Sequence, residues 1–208
     1  MAVDSNTVAA MPMPALVLAA GRSTRMGRPK ALLSVTRVGE TFVERLVGTL
    51  VAGGIDDVVV VAGEQASAIR ARLGFRARVV VNPDVDQGQL SSIVVGLDVI
   101  DRPGVSAVMI APVDQPLVSE TTVRALAEAW RRTHAPIVRP VREGRHGHPV
   151  IFDRTLFDEL RAADPAQGAR AIVHAHAESL ADIAVDDDGC FADIDTPADY
   201  ERWTGLKL

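Results

Sequence analysis

Short apolar runs recur along this 208-residue chain, and most of them are separated by stretches with the period of an amphipathic helix. The runs cover residues 15–20, 58–62, 79–81, 105–111, 137–138 and 150–152. Continuous apolar runs are typical of strands that are buried on both faces, as in a parallel sheet. The alternation therefore predicts an α/β fold in which helices cover both faces of a mainly parallel central sheet.

Capping residues predict where three of the helices begin. Thr41 and Glu44 have the spacing of a capping box, in which the two side chains satisfy early backbone N–H groups. Ser119 can cap a second helix with its hydroxyl. Thr196 followed by Pro197 has the form of a cap residue and a first-turn proline, so a last helix is expected to start there.

The chain contains no internal repeat, low-complexity tract or linker, and its 48% hydrophobic content is enough for a full core. We expect residues 1–13 to form a flexible N-terminal tail. They contain no Lys or Arg and only one brief apolar patch, so they lack the regions of a secretory signal. Residues 14–208 are then expected to form a single domain.

The overall composition argues against several kinds of partner. A net charge of -5 and an aromatic content of 4% do not suit a nucleic-acid surface. The apolar runs are far shorter than the ~20 residues that a membrane-crossing helix needs. The single cysteine, Cys190, excludes an internal disulfide and fits a reducing compartment. We therefore expect a cytoplasmic protein with no nucleic-acid or membrane partner.

A glycine-bounded loop after the first predicted strand concentrates positive charge. It runs from Gly21 to Gly27, and no acidic residue lies between Asp4 and Glu40. The cations of the loop and the residues just after it are Arg22, Arg25, Arg28 and Lys30. Glycines let backbone N–H groups turn toward an anion. The loop is therefore predicted to bind a small polyanion; the alternative is a solvated basic loop between a strand and a helix.

The spacing of this loop differs from that of two common phosphate-binding motifs. Five residues separate its glycines and Arg28 follows Gly27, whereas a Walker A loop has four residues between glycines and a Lys directly after the second. The G-x-G-x-x-G pattern of dinucleotide-binding proteins is also absent. Its absence weighs against a hydride-transferring enzyme.

A second candidate site is Asp114, which follows a predicted buried strand and lies between two prolines. In a parallel sheet, the carboxyl end of that strand lies at the same edge as the glycine loop. A carboxylate beside phosphate is unfavourable unless a cation lies between them, and Mg²⁺ is held by one or two carboxylates plus phosphate oxygens. Asp114 is therefore a candidate metal ligand; the alternative is a turn residue or a helix cap.

Two acidic segments follow near the C-terminal end. Alternation places Asp193 and Asp195 on the same side of an extended segment, so one or both can complete the metal site, and Asp195 is the better candidate. Residues 186–189 resemble part of a calcium loop but lack the spacing and the terminal Glu of an EF-hand. We expect a solvated turn there.

Five blocks of the chain resemble, in the same order, those of the MobA-like nucleotidyltransferases. They lie within residues 18–30, 82–97, 112–116, 147–149 and 193–197. The resemblance is greatest to the molybdenum cofactor cytidylyltransferase branch, because Ala19 and Ala20 stand where guanylyl-transferring relatives tend to have two glycines. It implies a Rossmann-like three-layer sandwich of the nucleotide-diphospho-sugar transferase type.

The resemblance also implies roles for individual residues. Arg25 and Lys30 hold the triphosphate, and Ser92 contacts the base. The nucleotide-binding residues are Leu18, Ala19, Ala20, Gly21, Arg25, Lys30 and Ser92. Asp114 and Asp195 hold Mg²⁺, and the residues with catalytic roles are Arg25, Lys30 and Asp114. Gly147 and His148 border the acceptor, with Arg142 or Arg145 nearby.

The implied reaction is the Mg²⁺-dependent transfer of CMP from CTP to the terminal phosphate of molybdopterin carrying molybdenum, with release of pyrophosphate. Positioning and charge neutralisation do most of the work in such a transfer, so no protein nucleophile is required. A molybdoenzyme is the expected recipient of the product. The alternatives are an enzyme that uses GTP, a sugar phosphate or another small phosphate acceptor, and a non-catalytic protein of the same fold that binds nucleotide or cofactor.

Overall fold

The computed structural model describes residues 12–208, and its eight strands there form one sheet. The strands are β1 (Ala15–Ala19), β2 (Val58–Ala62), β3 (Arg78–Val81), β4 (Ala107–Pro112), β5 (Ile137–Arg142), β6 (Arg145–His146), β7 (Val150–Asp153) and β8 (Ala181–Ala184). Their order across the sheet is β3-β2-β1-β4-β7-β5-β6, and β8 pairs with β5. Most of the predicted tail lies outside the described residues, so the tail stays a prediction.

The sheet is mixed but mainly parallel, as the apolar runs predict. Strands β1 to β4 are parallel neighbours, and β8 is parallel to β5. Strand β7 runs antiparallel to both β4 and β5, and β6 runs antiparallel to β5. An apolar run indicates that a strand is buried, but it does not indicate the direction of the strand. Strand β8 has no such run, because its residues alternate between partly buried and exposed.

Helices cover both faces of the sheet and make a three-layer sandwich. They are α1 (Phe42–Ala52), α2 (Ala66–Leu73), α3 (Gln89–Ile100), α4 (Glu120–Thr133), α5 (Phe157–Ala162), α6 (Ala169–Ala175) and α7 (Pro197–Thr204). Helices α1, α2, α4 and α7 pack on one face with Val17, and α3, α5 and α6 pack on the other with Leu16 and Leu18. Successive side chains of a strand point to opposite faces, so β1 contributes to both cores.

The three predicted helix starts are confirmed. Thr41 and Glu44 form a capping box at α1, and the Ser119 hydroxyl accepts the N–H of Thr122 at α4. A second capping box joins Thr196 to Asp199 at α7, where Pro197 is the first helical residue. This cap fixes the backbone immediately after Asp195. The capping residues thereby help to hold a candidate site residue in place.

The prediction of a solvated turn at residues 186–189 is wrong for Asp187. One carboxylate oxygen of Asp187, Oδ2, accepts the N–H of Ser119 at 2.8 Å, the hydroxyl of Ser119 at 2.8 Å and the hydroxyl of Thr122 at 2.7 Å. The backbone is also close at this point, because a Cβ on Gly189 would lie 2.0 Å from the carbonyl oxygen of Leu117. Asp187 therefore ties the C-terminal segment to the start of α4.

Every helix in the part of the chain that the structure describes is too short or too polar to cross a bilayer.

Candidate active site

The carboxyl ends of β1 and β4 bring the glycine loop and Asp114 to one edge of the sheet. The two strands are parallel neighbours, with Leu18 opposite Pro112. A cavity of about 360 Å³ opens there. Its lining includes the residues that the sequence predicts for nucleotide and metal: Leu18, Ala19, Ala20, Gly21, Arg25, Lys30, Ser92, Asp114 and Asp195. The structure brings all of these residues together, and their individual roles stay predictions.

The glycine loop is a compact turn, and two of the four cations in the loop and just after it, Arg25 and Lys30, line the cavity. Ser23 and Gly27 have left-handed backbones, with φ of 52° and 68°, and the Ser23 hydroxyl accepts the N–H of Lys30 at 3.1 Å. Met26 is buried in the core and anchors the loop. Arg22 instead pairs with Asp86 at 2.6 Å, and Arg28 is exposed and does not line the cavity.

Lys30 lies between the two predicted metal ligands. Its ammonium group donates to a carboxylate oxygen of Asp195, and its Nζ lies 3.3 Å from Oδ2 of Asp114. The side chain of Lys30 is only 12% exposed. Arg25 adds a second cation, with its Nη2 at 2.8 Å from Oδ2 of Asp195. The positive charges of Lys30 and Arg25 therefore balance the negative charges of the two aspartates in the lining of the cavity.

The two carboxylates differ in how readily they bind a proton. Burial raises the pKa of Asp114, and the negative charges of Asp193 and Asp195 add to the rise, while Lys30 opposes it. The hydrogen bond from Lys30 lowers the pKa of Asp195; burial opposes this, and Arg25 contributes to the lowering. Asp195 thus holds its negative charge to lower pH than Asp114.

Asp193 points to a different partner. Its Oδ1 accepts the Nε2–H of Gln115 at 2.6 Å, and the backbone N–H of Ile194 donates to the carbonyl of Asp114 at 3.0 Å. These contacts dock the segment that carries Asp195 beside the loop after β4. Gln115 is buried, and sequence reasoning did not single it out, although it lies within the 112–116 block beside Asp114.

The carboxylate pair fits a hard divalent cation in an open site. Among residues 12–208, no group of three or more His, Cys, Asp and Glu side chains could hold a metal ion, so protein side chains alone do not complete a metal site there. Two carboxylate side chains beside a cationic loop match the way Mg²⁺ is bound with substrate phosphates, because that ion keeps phosphate oxygens and water as its other ligands. Asp114 and Asp195 would hold such an ion.

A second cavity, of about 580 Å³, adjoins the first and shares Leu18 and Gln89 with it. Its apolar lining comes from Ile93, Ile110, Val150, Phe152 and Val173. Its polar lining comes from Arg139, His146, His148, Gln167, Arg170 and His174. Gly147 and His148 line this cavity, at the place where the resemblance puts the acceptor.

Arg142 and Arg145, which the resemblance places near the acceptor, have other partners in the structure. Arg142 pairs with Asp188 at 2.9 Å, and the guanidinium of Arg145 lies over the ring of Phe191. Neither lines the second cavity, whereas Arg139 does. Side chains alternate between the two faces of a strand, so Arg139 and Arg142 of β5 point to opposite sides.

His148 is partly buried and lines the second cavity. Burial lowers its pKa, and the nearby charges of Asp193 and Asp114 only partly offset that effect. The imidazole is therefore neutral near pH 7. The preceding Gly147 permits a close backbone approach, because a Cβ there would lie 2.3 Å from the carbonyl oxygen of Cys190.

A Rossmann-like sheet that presents a cationic glycine loop, a carboxylate pair and an adjoining second cavity at one edge defines the class of protein as a nucleotidyltransferase. The chain belongs to the family of the MobA-like NTP transferase domain, whose model matches residues 15–180. That match includes the glycine loop, Ser92, Asp114 and His148, and it ends before Asp195.

Two relatives cover nearly the whole chain. Nicotine blue oxidoreductase of Paenarthrobacter nicotinovorans is 33% identical over 195 residues, which cover 87% of this chain and 91% of the relative. A probable molybdenum cofactor guanylyltransferase of Mycolicibacterium paratuberculosis is 29% identical over 196 residues, which cover 91% of this chain and 93% of the relative.

Solved structures show the same architecture. The crystal structure of Rv0371c from Mycobacterium tuberculosis superposes with a TM-score of 0.83 at 32% identity, covering 95% of this chain and 99% of that one. A structure of Rv0371c in complex with manganese gives a TM-score of 0.76 at 30% identity, covering 93% and 98%. These matches confirm the predicted fold class.

Proposed function

We propose that this protein transfers CMP from CTP to the terminal phosphate of a molybdopterin-type acceptor in molybdenum cofactor biosynthesis, with Mg²⁺ as the metal ion. The observation that carries the proposal is the pair of adjoining cavities, one with the cationic loop and the carboxylates and the other with an apolar floor. They meet at Leu18 and Gln89. Two substrates bound there have their reacting ends close together, which is what a transfer reaction needs.

The first cavity supplies the groups for the chemical step. An oxygen of the acceptor phosphate attacks the α-phosphorus of CTP, a new P–O bond forms, and the bond to the β-phosphate oxygen breaks to release pyrophosphate. Arg25 and Lys30 turn from the carboxylates to the triphosphate and stabilise its developing charge. Asp114 and Asp195 would hold Mg²⁺, which would supply further charge neutralisation at the phosphates.

The second cavity suits a flat ring system that carries a phosphate. Its apolar floor can contact the ring faces, and its cations can bind the anion. Arg139 is held in place by Asp182, through its Nε at 2.6 Å and its Nη2 at 3.3 Å. Arg170 donates from Nε to Nε2 of His174 at 3.3 Å. Within residues 12–208 it has no carboxylate partner, so its two terminal nitrogens can donate to a phosphate.

The nucleotide substrate has two candidates, CTP and GTP. Ala19 and Ala20 favour CTP through the family resemblance, whereas the relative from Mycolicibacterium paratuberculosis is named as a guanylyltransferase. We assign CTP because both alanines line the nucleotide cavity, where a side chain in place of glycine leaves less room for a purine. GTP stays the alternative base, and a sugar or other small phosphate is the alternative acceptor.

A second candidate function is oxidoreduction of a flat heterocycle, since the relative with 33% identity is named nicotine blue oxidoreductase. The same apolar floor of the second cavity would accommodate such a ring. The third hypothesis is a non-catalytic protein that binds a nucleotide or delivers a cofactor to a molybdoenzyme.

One set of assays tests these readings. The purified protein is mixed with Mg²⁺, molybdopterin carrying molybdenum and each of CTP, GTP, ATP and UTP, and pyrophosphate release and the dinucleotide product are measured. We expect turnover with CTP. Turnover with GTP alone would overturn the base assignment but keep the reaction class. Reduction of nicotine blue by NADH or NADPH without any transferase activity would overturn the class.

The variant Asp114→Asn separates catalysis from simple binding. We expect it to reduce turnover by roughly a hundredfold, because the charge that holds the metal is removed. Its matched control is Asp158→Asn, since Asp158 is fully exposed and outside both cavities. Unchanged turnover in Asp114→Asn would contradict the assigned role of this carboxylate.

A further inference from the structure

We propose that Asn82 is a positioning residue that orients the hydroxyl of Ser92 so that it donates its proton to the base of the bound nucleotide. The inference deepens the proposed function and depends on its assignment of the first cavity to the nucleotide. Asn82 itself does not line that cavity. It acts through Ser92, which does line it.

The carboxamide of Asn82 is held in one orientation. Asn82 follows β3, is 2% exposed, and donates its backbone N–H to the carbonyl of Ala62 at 2.8 Å. Its side-chain Oδ1 accepts the N–H of Asp84 at 2.8 Å. Because the oxygen is committed to that donor, the NH₂ group must face the other way, toward the first turn of α3.

Both N–H groups of the carboxamide are used on neighbouring serines. The Nδ2 atom lies 2.8 Å from Oγ of Ser91 and 3.0 Å from Oγ of Ser92. A hydroxyl that accepts from an amide keeps one proton to donate. The hydroxyl oxygens of both serines therefore accept hydrogen bonds from Asn82, and their hydroxyl protons point away from it.

The two serines then differ in where their own proton goes. Ser91 donates to backbone carbonyls, with its Oγ at 2.8 Å from the oxygen of Gly88 and 3.1 Å from that of Asp84. Within the described chain, the hydroxyl of Ser92 has no acceptor for its proton. Ser92 is 4% exposed and lies at the nucleotide cavity. Its donor is thus available to a ligand.

A fixed donor requires an acceptor atom on the base. Cytosine offers O2 and N3 as acceptors, and guanine offers O6. Uracil differs from cytosine at N3, where it carries a hydrogen. If N3 is the atom opposite Ser92, uracil would place a donor against the donor of the Ser92 hydroxyl. The orientation of the Asn82 amide therefore favours a base that has a hydrogen-bond acceptor opposite Ser92. A buried donor left without an acceptor is unfavourable.

The substitution Asn82→Asp inverts this polarity with almost no change in shape. A carboxylate accepts hydrogen bonds and cannot donate them, so it would draw the Ser92 proton away from the cavity. The variant would also place a negative charge near the triphosphate. Inorganic triphosphate serves as the probe for that second effect, because it has the charge of the nucleotide without the base.

The experiment measures dissociation constants of CTP and inorganic triphosphate, both with Mg²⁺, by calorimetry on the full chain. The variants are Asn82→Asp, Asn82→Ala, Ser92→Ala, and each Asn82 variant combined with Ser92→Ala. Ser91→Ala is the matched control, because Ser91 also contacts Asn82 but turns its proton to the backbone. The preference for CTP over triphosphate is the quantity compared.

We expect Asn82→Asp to reduce the preference for CTP roughly tenfold or more, and Asn82→Ala to reduce it less. In the Ser92→Ala background, neither change is expected to reduce the preference further, because the residue through which Asn82 acts is gone. Ser91→Ala is expected to stay within about twofold of the wild type. Thermal unfolding checks that each variant is folded, and Asn82→Ala carries the test where Asn82→Asp does not fold.

Additive effects of Asn82 and Ser92 substitutions would overturn the inference, as would equal weakening of CTP and triphosphate binding. Either result leaves the nucleotide assignment intact. Failure of the wild type to bind any nucleoside triphosphate would overturn both the inference and the proposed function. If GTP binds in place of CTP, the same non-additivity with GTP supports the inference, because guanine also offers an acceptor.

Discussion

Lys30 makes the contacts on which the residue-scale chemistry of the site depends. Its ammonium is shared by Asp114 and Asp195, and Arg25 also pairs with Asp195. These ion pairs keep the two carboxylates from facing one another without a cation. In the proposed reaction, the two cations would move to the triphosphate and the two carboxylates to the divalent metal ion.

Removing the ammonium tests its role in transfer. We expect Lys30→Met to lower the turnover of nucleotidyl transfer by roughly a hundredfold, because a cation at the triphosphate is lost. Arg28→Met is the matched control, as it removes a cation of the same loop that does not line the cavity. Initial rates with CTP check the prediction, and equal losses in both variants would show that only the overall charge of the loop matters.

The same variant has the opposite effect on metal binding without nucleotide. Lys30 competes with a divalent cation for the two carboxylates, so Lys30→Met is expected to bind Mn²⁺ roughly tenfold more tightly than the wild type. The measurement is the free Mn²⁺ signal in an electron paramagnetic resonance titration. Weaker Mn²⁺ binding by Lys30→Met than by Arg28→Met would contradict a shared carboxylate site.

The site residues that could be predicted from the sequence lie in short recognisable blocks, whereas the residues that were missed depend on contacts between distant parts of the chain. Lys30, Arg25 and Asp114 lie in short blocks whose composition or family likeness is visible along the chain. Asp187 and Arg139 are different. Asp187 contacts residues that lie 65 to 68 positions away in the sequence. The side of the sheet to which Arg139 points depends on how β5 pairs with its neighbouring strands. A short stretch of sequence indicates neither of these contacts.

At the scale of elements, the contact between Asp187 and the start of α4 joins the C-terminal segment to the helical layer that contains α4. Burial by itself would raise the pKa of Asp187, but hydrogen bonds from the backbone N–H of Ser119 and from the hydroxyls of Thr122 and Ser119 outweigh it and lower the pKa below its ordinary value. The carboxylate thus acts as a second cap of α4, supplied from a distant part of the chain.

We expect Asp187→Ala to lower the free energy of unfolding by about 2 kcal/mol, because several donors lose their acceptor at a helix start. Urea unfolding at pH 7 checks the value. The control is Asp186→Ala, whose side chain is 95% exposed and pairs with Arg142. A change below about 0.5 kcal/mol is expected for the control, and an equal change in both variants would contradict the capping role.

The same carboxylate makes stability depend on pH. A carboxyl group whose pKa is lowered by folding contributes stability above its unfolded-state pKa, and the contribution is lost as the pH falls through the folded pKa. The difference in unfolding free energy between the wild type and Asp187→Asn is therefore expected to be largest near pH 7 and to shrink toward pH 3. A difference that grows in acid would contradict the lowered pKa.

The whole molecule places two adjoining cavities at one edge of a single sheet. The parallel strands β1 and β4 border the first cavity, and the antiparallel strands β5 to β7 border the second one. The apolar runs predict the parallel part well because its strands are buried on both faces. The antiparallel part follows from how hairpins close, so its arrangement around the second cavity was visible only in the structure.

Separate cavities predict separable kinetics. We expect Arg170→Met to raise the KM of the acceptor roughly tenfold while the KM of CTP stays the same, since Arg170 lines the second cavity and not the first. Arg131→Met is the control, because Arg131 is an exposed cation on α4, at the other face of the sheet. A matching rise in both KM values would argue against two distinct sites.

Leu18 and Gln89 line both cavities, and this limits how the protein can diverge. Under the proposed function, a mutation at either position that adapts the second cavity to a new acceptor also reshapes a wall of the nucleotide cavity. Selection for a new acceptor at these positions then also acts on nucleotide binding. Residues away from the shared wall, such as Arg170 and Asn82, would let the two preferences change independently.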